Sequence, residues 1–210
     1  MFEILIFGDS LTRGADPGQH RRHPFADRWP NVLSAGLAGR ASVAAEGLGG
    51  RTTIYDDESD QRIDRNGSRT LPTLLASHSP LDLLIIMLGS NDLKPEMCGT
   101  ADGVAIGMAK LLDIVESAQP SLKTLIVSPP IFVGSEQHGG NPRAGRSIEE
   151  SRRLGPLLEQ LAIRRKSAFF DASTVARSSP IDGVHLDREN TRAIGLALVP
   201  IVQAILDCLN

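Results

Sequence analysis

Phe2-Glu3-Ile4-Leu5-Ile6-Phe7-Gly8-Asp9-Ser10-Leu11 opens the chain with a short apolar run that stops at a glycine and two polar residues. A run of this length without alternation reads as a strand buried on both faces. Similar runs follow at Ala41–Ala45, Leu83–Leu88, Thr124–Val127 and Ala168–Phe170. Between them lie segments of helical character, roughly Trp29–Leu37, Thr70–Ser77, Ala101–Ala118 and Ile148–Arg165, and a last one spans about Arg188 to Leu209. Strands alternating with helices predict an α/β fold, a five-stranded parallel sheet covered on both sides in a three-layer α/β/α sandwich. The simplest strand order compatible with this pattern is the flavodoxin-like 2-1-3-4-5.

Local punctuation supports the boundaries. Ser147 followed by Glu150 fits a capping box, in which hydroxyl and carboxylate each take up an unpaired backbone donor at the helix start. Pro120 closes the third long helix, since proline cannot continue the hydrogen-bond ladder. Two stretches fit no element: residues 13–24, and 129–147 with Pro129, Pro130, Gly134, Gly139, Gly140 and Gly145. Loops this long inside a compact domain are usually functional or disordered. Both leave strands at their C-terminal ends, where an open parallel sheet places its ligands, so both are candidates for the walls of a site.

At 210 residues the chain is expected to form one domain, residues 1–210. Its 41% hydrophobic and 22% charged content is that of an ordinary globular protein. The net charge of −3, from 22 basic and 25 acidic residues, argues against nucleic-acid binding, and short basic pairs such as Arg21-Arg22 and Arg152-Arg153 read as solvated faces. No apolar run approaches the roughly eighteen residues that cross a bilayer, and the last helix is interrupted by Pro200 and polar positions, so no membrane span is expected. With no basic residue ahead of the first strand, no secretory signal is expected. Cys98 and Cys208 stand far apart with no partner at metal-ligand spacing, so two reduced thiols in a cytoplasmic protein are expected, with neither disulfide nor metal.

The first strand ends by presenting Ser10 at the sheet edge, a suitable place for a nucleophile, although Asp-Ser after a strand is also a common helix start. The Gly-x-Ser-x-Gly elbow is not matched, because Thr12 stands where its second glycine belongs. Strand two ends in Glu46-Gly47-Leu48-Gly49-Gly50-Arg51-Thr52, where glycines let backbone N–H groups approach a ligand, and Gly50 is a candidate donor. Strand three ends in Gly89-Ser90-Asn91-Asp92; the Asn91 amide is placed to point into the same crevice, though turn chemistry alone favours these residues too. Asp182-Gly183-Val184-His185 sets a carboxylate three residues before an imidazole, just ahead of the last helix. His20, His23, His78 and His138 read as surface or satisfied core residues.

These four motifs, in this order and nearly from end to end of the chain, resemble those of the SGNH hydrolases, the Gly-Asp-Ser-Leu family of esterases and lipases. The serine, glycine, asparagine and histidine of that family correspond to Ser10, Gly50, Asn91 and His185. Glu46-Gly47-Leu48, Arg51-Thr52-Thr53, Leu83–Gly89 and Val127-Ser128-Pro129-Pro130 look like the small bacterial arylesterase and acyltransferase branch. The resemblance implies a homo-oligomeric enzyme that needs no cofactor and acts on a small-molecule ester, through a triad of Ser10, His185 and Asp182 and an oxyanion hole of Ser10, Gly50 and Asn91. Asp9, Arg51 and Leu11 are further candidates for substrate contact, although Asp9 also reads as a turn residue and Arg51 as a surface charge. Arg13-Gly14-Ala15 departs from the aromatic residues expected beside the nucleophile of the acyltransferases, which bears on water exclusion and so on acyl transfer against hydrolysis.

The mechanism so implied is a proton relay: His185 takes the Ser10 proton as Ser10 attacks the ester carbonyl, and Asp182 fixes the tautomer. Activity is then expected to rise across the range in which imidazoles deprotonate, roughly pH 6 to 7. The nearer alternative is a thioesterase or lysophospholipase of the same family. A different class, a nucleotide-binding α/β protein using Gly47-x-Gly49, fits poorly because Thr52 replaces the third glycine.

Overall fold

The computed structural model describes residues 1–19 and 21–209; His20 lies outside them. Five strands form one parallel sheet of order β2-β1-β3-β4-β5: β1 (Phe2–Gly8), β2 (Ala41–Gly47), β3 (Leu83–Met87), β4 (Lys123–Ser128) and β5 (Ala168–Asp171). Register follows the apolar runs, with Ile4 opposite both Val43 and Leu83, and Leu125 opposite Ala168. The helices are a single turn α1 (Ser10–Arg13), α2 (Trp29–Gly36), α3 (Gly67–Ser77), α4 (Ala101–Ala118), α5 (Ile148–Arg165) and α6 (Arg188–Asp207).

Alternation of side chains across the sheet makes two cores. Leu5, Phe7, Leu84 and Ile86 face α3, α4 and α5, where Leu71, Met108, Leu111 and Leu158 pack on them. Ile4, Ile6, Ile85 and Val127 face α2 and α6, against Trp29, Leu33, Ile194, Leu198 and Val202. Ile194, Leu198 and Val202 recur every four residues, which sets one stripe of α6 on the sheet. β2 and β5, as edges, are only partly buried.

The predicted elements are all present, with three adjustments. α1 is too short to show a period, and it exists because the Asp9 carboxylate accepts from the Leu11 N–H at 2.9 Å. α3 starts three residues earlier than expected, at Gly67, because Asn66 caps it through the Ser68 N–H. Pro200 does not interrupt α6, which runs through it on its exposed side. There the carbonyl that loses its partner faces solvent. No helix among the described residues is long and apolar enough to cross a membrane.

Because β1 lies between β2 and β3, the chain leaves it in one direction and β3 in the other. The crevice that opens at their C-terminal ends is where such sheets hold ligands. Ser10 follows β1 and Asn91 follows β3, so this topology brings both to that crevice.

Candidate active site

Ser10 opens α1, held there by the Asp9 cap and by the close approach of α1 to the end of β2. A Cβ at Gly47 would stand 2.4 Å from the Arg13 nitrogen, so only glycine lets the two segments meet. The Ser10 hydroxyl lies 2.9 Å from His185 Nε2, and His185 Nδ1 lies 2.5 Å from Asp182 Oδ2. With Nδ1–H donating to the carboxylate, Nε2 is left to accept the serine proton. The other Asp182 oxygen accepts from the backbone N–H groups of Val184 and His185, at 3.0 and 2.9 Å. Burial works to raise the Asp182 carboxyl, but the His185 bond and charge and those two N–H groups outweigh it, and it lies below its ordinary value.

The turn that carries Asp182 and His185 is fastened by the long loop before α5. Val133 N–H donates to the Gly183 carbonyl, Glu136 N–H to Pro180 and Arg143 N–H to Asp182. Residues from both stretches without predicted structure line the cavity over Ser10, among them Arg13 and Arg22 from one and Arg143 and Arg146 from the other. A third wall, with Asp57, Ser59 and Arg65, comes from the segment between β2 and α3, and Lys94 and Glu96 contribute from the loop after β3. The enclosed volume is about 460 Å³. The sequence marked only the first residues of these last two segments, up to Thr53 and Asp92, and not the scattered charges that follow.

Gly50 adopts a left-handed φ of +83°, which turns the chain tightly beside Ser10. Among the described residues, the Ser10 and Gly50 N–H groups donate to no protein acceptor. Asn91 lines the same cavity, but its amide nitrogen already donates to Asp9 Oδ2 at 3.2 Å and to the Arg51 carbonyl at 3.0 Å. Its carbonyl oxygen accepts from Arg146 Nη2 at 3.0 Å, and Arg146 Nε donates to the Ser90 carbonyl at 2.7 Å. Burial lowers the Arg146 guanidinium to about 10, with Asp9 pulling it back up and Arg143 pushing it down.

Three candidate contacts are corrected by their burial. Asp9, Leu11 and Arg51 are 1%, 3% and 4% exposed and do not line the cavity. Asp9 caps α1 and holds Asn91, and burial raises its carboxyl. Leu11 belongs to the core beneath α2 and α6. Arg51 is an internal strut: one Nη donates to the carbonyls of Gly8 and Glu46, tying β1 to β2, and its guanidinium stacks 4.2 Å from the Phe7 ring centre. Asp92 is likewise internal, accepting from the Thr53 N–H at 2.9 Å and from the Thr53 hydroxyl. Burial raises its carboxyl to about 6 against those two bonds.

The other three histidines among the described residues lie apart from His185. His23 is buried with Nε2 2.9 Å from the Leu186 carbonyl, His78 meets Glu46 at 3.1 Å, and His138 is exposed. Both cysteines are free, and no group of three metal-ligating side chains occurs among the described residues.

A provisionally named arylesterase from Agrobacterium tumefaciens str. C58 is 51% identical over 98% of this chain and 100% of its own, with a TM-score of 0.93. A carbohydrate acetylesterase family member from Sinorhizobium meliloti is 45% identical over 99% and 100%, with a TM-score of 0.91. The aryl esterase of M. smegmatis is 35% identical over 98% and 100%, with a TM-score of 0.86. Among curated proteins none matches the chain. The model of the GDSL-like lipase/acylhydrolase family matches residues 6–191, which hold every motif just described, and the chain belongs to that family.

Proposed function

We propose that this family member hydrolyses short-chain acyl esters of aryl, alkyl or carbohydrate alcohols through an acyl-enzyme on Ser10. The observation that carries the proposal is the continuous relay from Ser10 Oγ through His185 to Asp182, at 2.9 and 2.5 Å, on the wall of the cavity at the switch point of the sheet. As Ser10 Oγ bonds to the ester carbonyl carbon, its proton passes to His185 Nε2, and Asp182 stabilises the imidazolium. The carbonyl oxygen takes up the negative charge opposite the N–H groups of Ser10 and Gly50. The Asn91 amide joins them by releasing its longer bond, to Asp9. Collapse of this intermediate breaks the bond to the alcohol, which leaves with the proton from His185. Water then attacks the acyl-enzyme by the reverse traffic.

The cavity walls also bear on the acyl group. Beside Ser10 they are mainly Arg, Asp, Lys, Glu and Gln with small residues such as Ala15 and Ala144, and no long apolar side chain among the described residues lines them. An added methylene gains up to ~0.8 kcal/mol only where apolar surface receives it. This favours acetyl-sized groups over the long chains of a lysophospholipase. The test is the initial rate on p-nitrophenyl acetate of the wild type and of Ser10→Ala, with folding of both checked by circular dichroism. Turnover in the wild type that falls to background in the variant is expected; equal rates in the two would overturn the assignment.

A further inference from the structure

The cavity over Ser10 is walled by charge of one predominant sign. Among the described residues, seven lining side chains are cationic and three acidic, an excess of four positive charges on a chain whose net charge is −3. Part of this is used internally. Lys94 donates to Asp57 at 2.9 Å, Arg65 lies 3.9 Å from the same carboxylate, and Arg146 is turned inward to Asn91 and Ser90. Of the acids, Asp16 accepts from the Gly18 N–H through one oxygen while the other lies 3.9 Å from His23 Nδ1, and the field of Glu96 falls on Arg146. Four exposed guanidiniums remain, those of Arg13, Arg21, Arg22 and Arg143. Among the described residues, Arg13, Arg21 and Arg22 have no carboxylate within 4.0 Å. Arg143 reaches only Asp182, at 3.9 Å, whose oxygens His185 and two backbone N–H groups already engage.

Two of these cations are placed where a substrate must lie. Arg13 is three residues after Ser10 on the one-turn helix, hence on the same side of it. Its Nη1 sits 3.9 Å from where a Cβ on Gly49 would be, beside the turn that carries the Gly50 N–H. Arg143 lines the cavity from the long loop before α5, its own N–H bonded to the Asp182 carbonyl at 2.8 Å. Arg22 buttresses Arg13 through a 2.7 Å bond from Nε to the Arg13 carbonyl. Burial and the charges of Arg28 and Arg13 hold the Arg22 guanidinium below its ordinary value, so like charges crowd here with no carboxylate paired to them among the described residues. An oxyanion between them relieves that repulsion and matches the fork of guanidinium donors.

We propose that the site is specific for anionic esters, in which a carboxylate, phosphate or sulfate elsewhere on the substrate sits on Arg13 and Arg143 while the ester carbonyl lies over Ser10. This rests on the esterase reading and adds the charge of the substrate to it. Neutral aryl esters then engage the reacting groups alone, whereas acylated hydroxy acids and acylated acidic sugars engage both.

The test compares 4-acetoxybenzoate with its methyl ester, two acetates of nearly one shape that differ by the charge, following release of the phenol. Each kcat/KM is divided by that ester's hydroxide-catalysed rate, to remove the difference in leaving group. At low salt the wild type is expected to favour the anionic ester about tenfold, the scale of one charge-assisted bond. The preference should shrink in 0.5 M NaCl, because screening weakens exposed charge pairs. Arg13→Gln and Arg143→Gln are each expected to lower the preference ratio about fivefold or more. A ratio near one in the wild type, or one that neither substitution changes, overturns the anion site while leaving the esterase standing. Failure to hydrolyse either ester, with wild type and Ser10→Ala alike, overturns the esterase reading and this inference with it.

Discussion

Arg146 governs the site from behind. It reaches Ser90 and Asn91 across the cavity floor, and by donating to the Asn91 carbonyl it polarises the amide whose N–H groups face Asp9 and Arg51. Arg146→Gln is therefore expected to lower kcat on p-nitrophenyl acetate on the order of tenfold to a hundredfold with a smaller change in KM, a lost transition-state donor acting mainly on turnover. Arg146→Lys keeps the charge but not the fork that spans two acceptors, and should recover only part of the loss. An unchanged kcat in Arg146→Gln would remove it from the machinery. Residues of this kind explain what the sequence conceals. Ser10, His185 and Asp182 stand in short motifs at strand ends or before a helix, so their convergence was legible. Arg146 has no motif spacing and comes into view only when its loop folds over Asn91. Arg51 and Leu11 err the other way: proximity to a motif in sequence says nothing about which side of the sheet a side chain enters.

At the scale of elements, Ser147 and Glu150 form half of the expected capping box. The Ser147 hydroxyl accepts from the Glu150 N–H at 3.2 Å, but the Glu150 carboxylate turns to another helix and accepts the Ala101 N–H at 2.7 Å. Glu150 thus caps α4 from α5, and that backbone bond above all holds its carboxyl below the ordinary value, with Arg153 adding to it. A local pattern cannot reveal this, since the two helix starts are some fifty residues apart and meet only through the packing of α4 on α5. Glu150→Ala should cost about 1 kcal/mol, the worth of one cap, or roughly 2–4 °C in Tm for a chain of this size. Thermal denaturation at neutral pH measures it, and a Tm within half a degree of the wild type would mean that water replaces the carboxylate without loss. Most of the other element boundaries followed from apolar runs and capping residues, because those act within one turn of chain.

For the molecule as a whole, strand order was legible because five runs separated by helices leave few right-handed ways to cover both faces of a sheet. The direction of the buried charges was not. Asp92, fully buried beneath the crevice, anchors the loop after β3 to Thr53, and burial raises it to about 6, with the nearby Asp9 adding to the rise. An unfolded chain loses this proton near pH 4, so between that value and about 6 the folded state binds more protons than the unfolded one. The contribution of Asp92 to stability is therefore fully present below about pH 4 and is lost as the pH rises through about 6. Asp92→Asn removes the titration but keeps an oxygen for Thr53. The difference in unfolding free energy, wild type minus variant, is expected to fall between pH 4 and 6 and to level off above pH 7, in urea titrations across that range. A difference that stays constant, or grows with pH, would show that the Thr53 donors hold the carboxylate ionised against its burial.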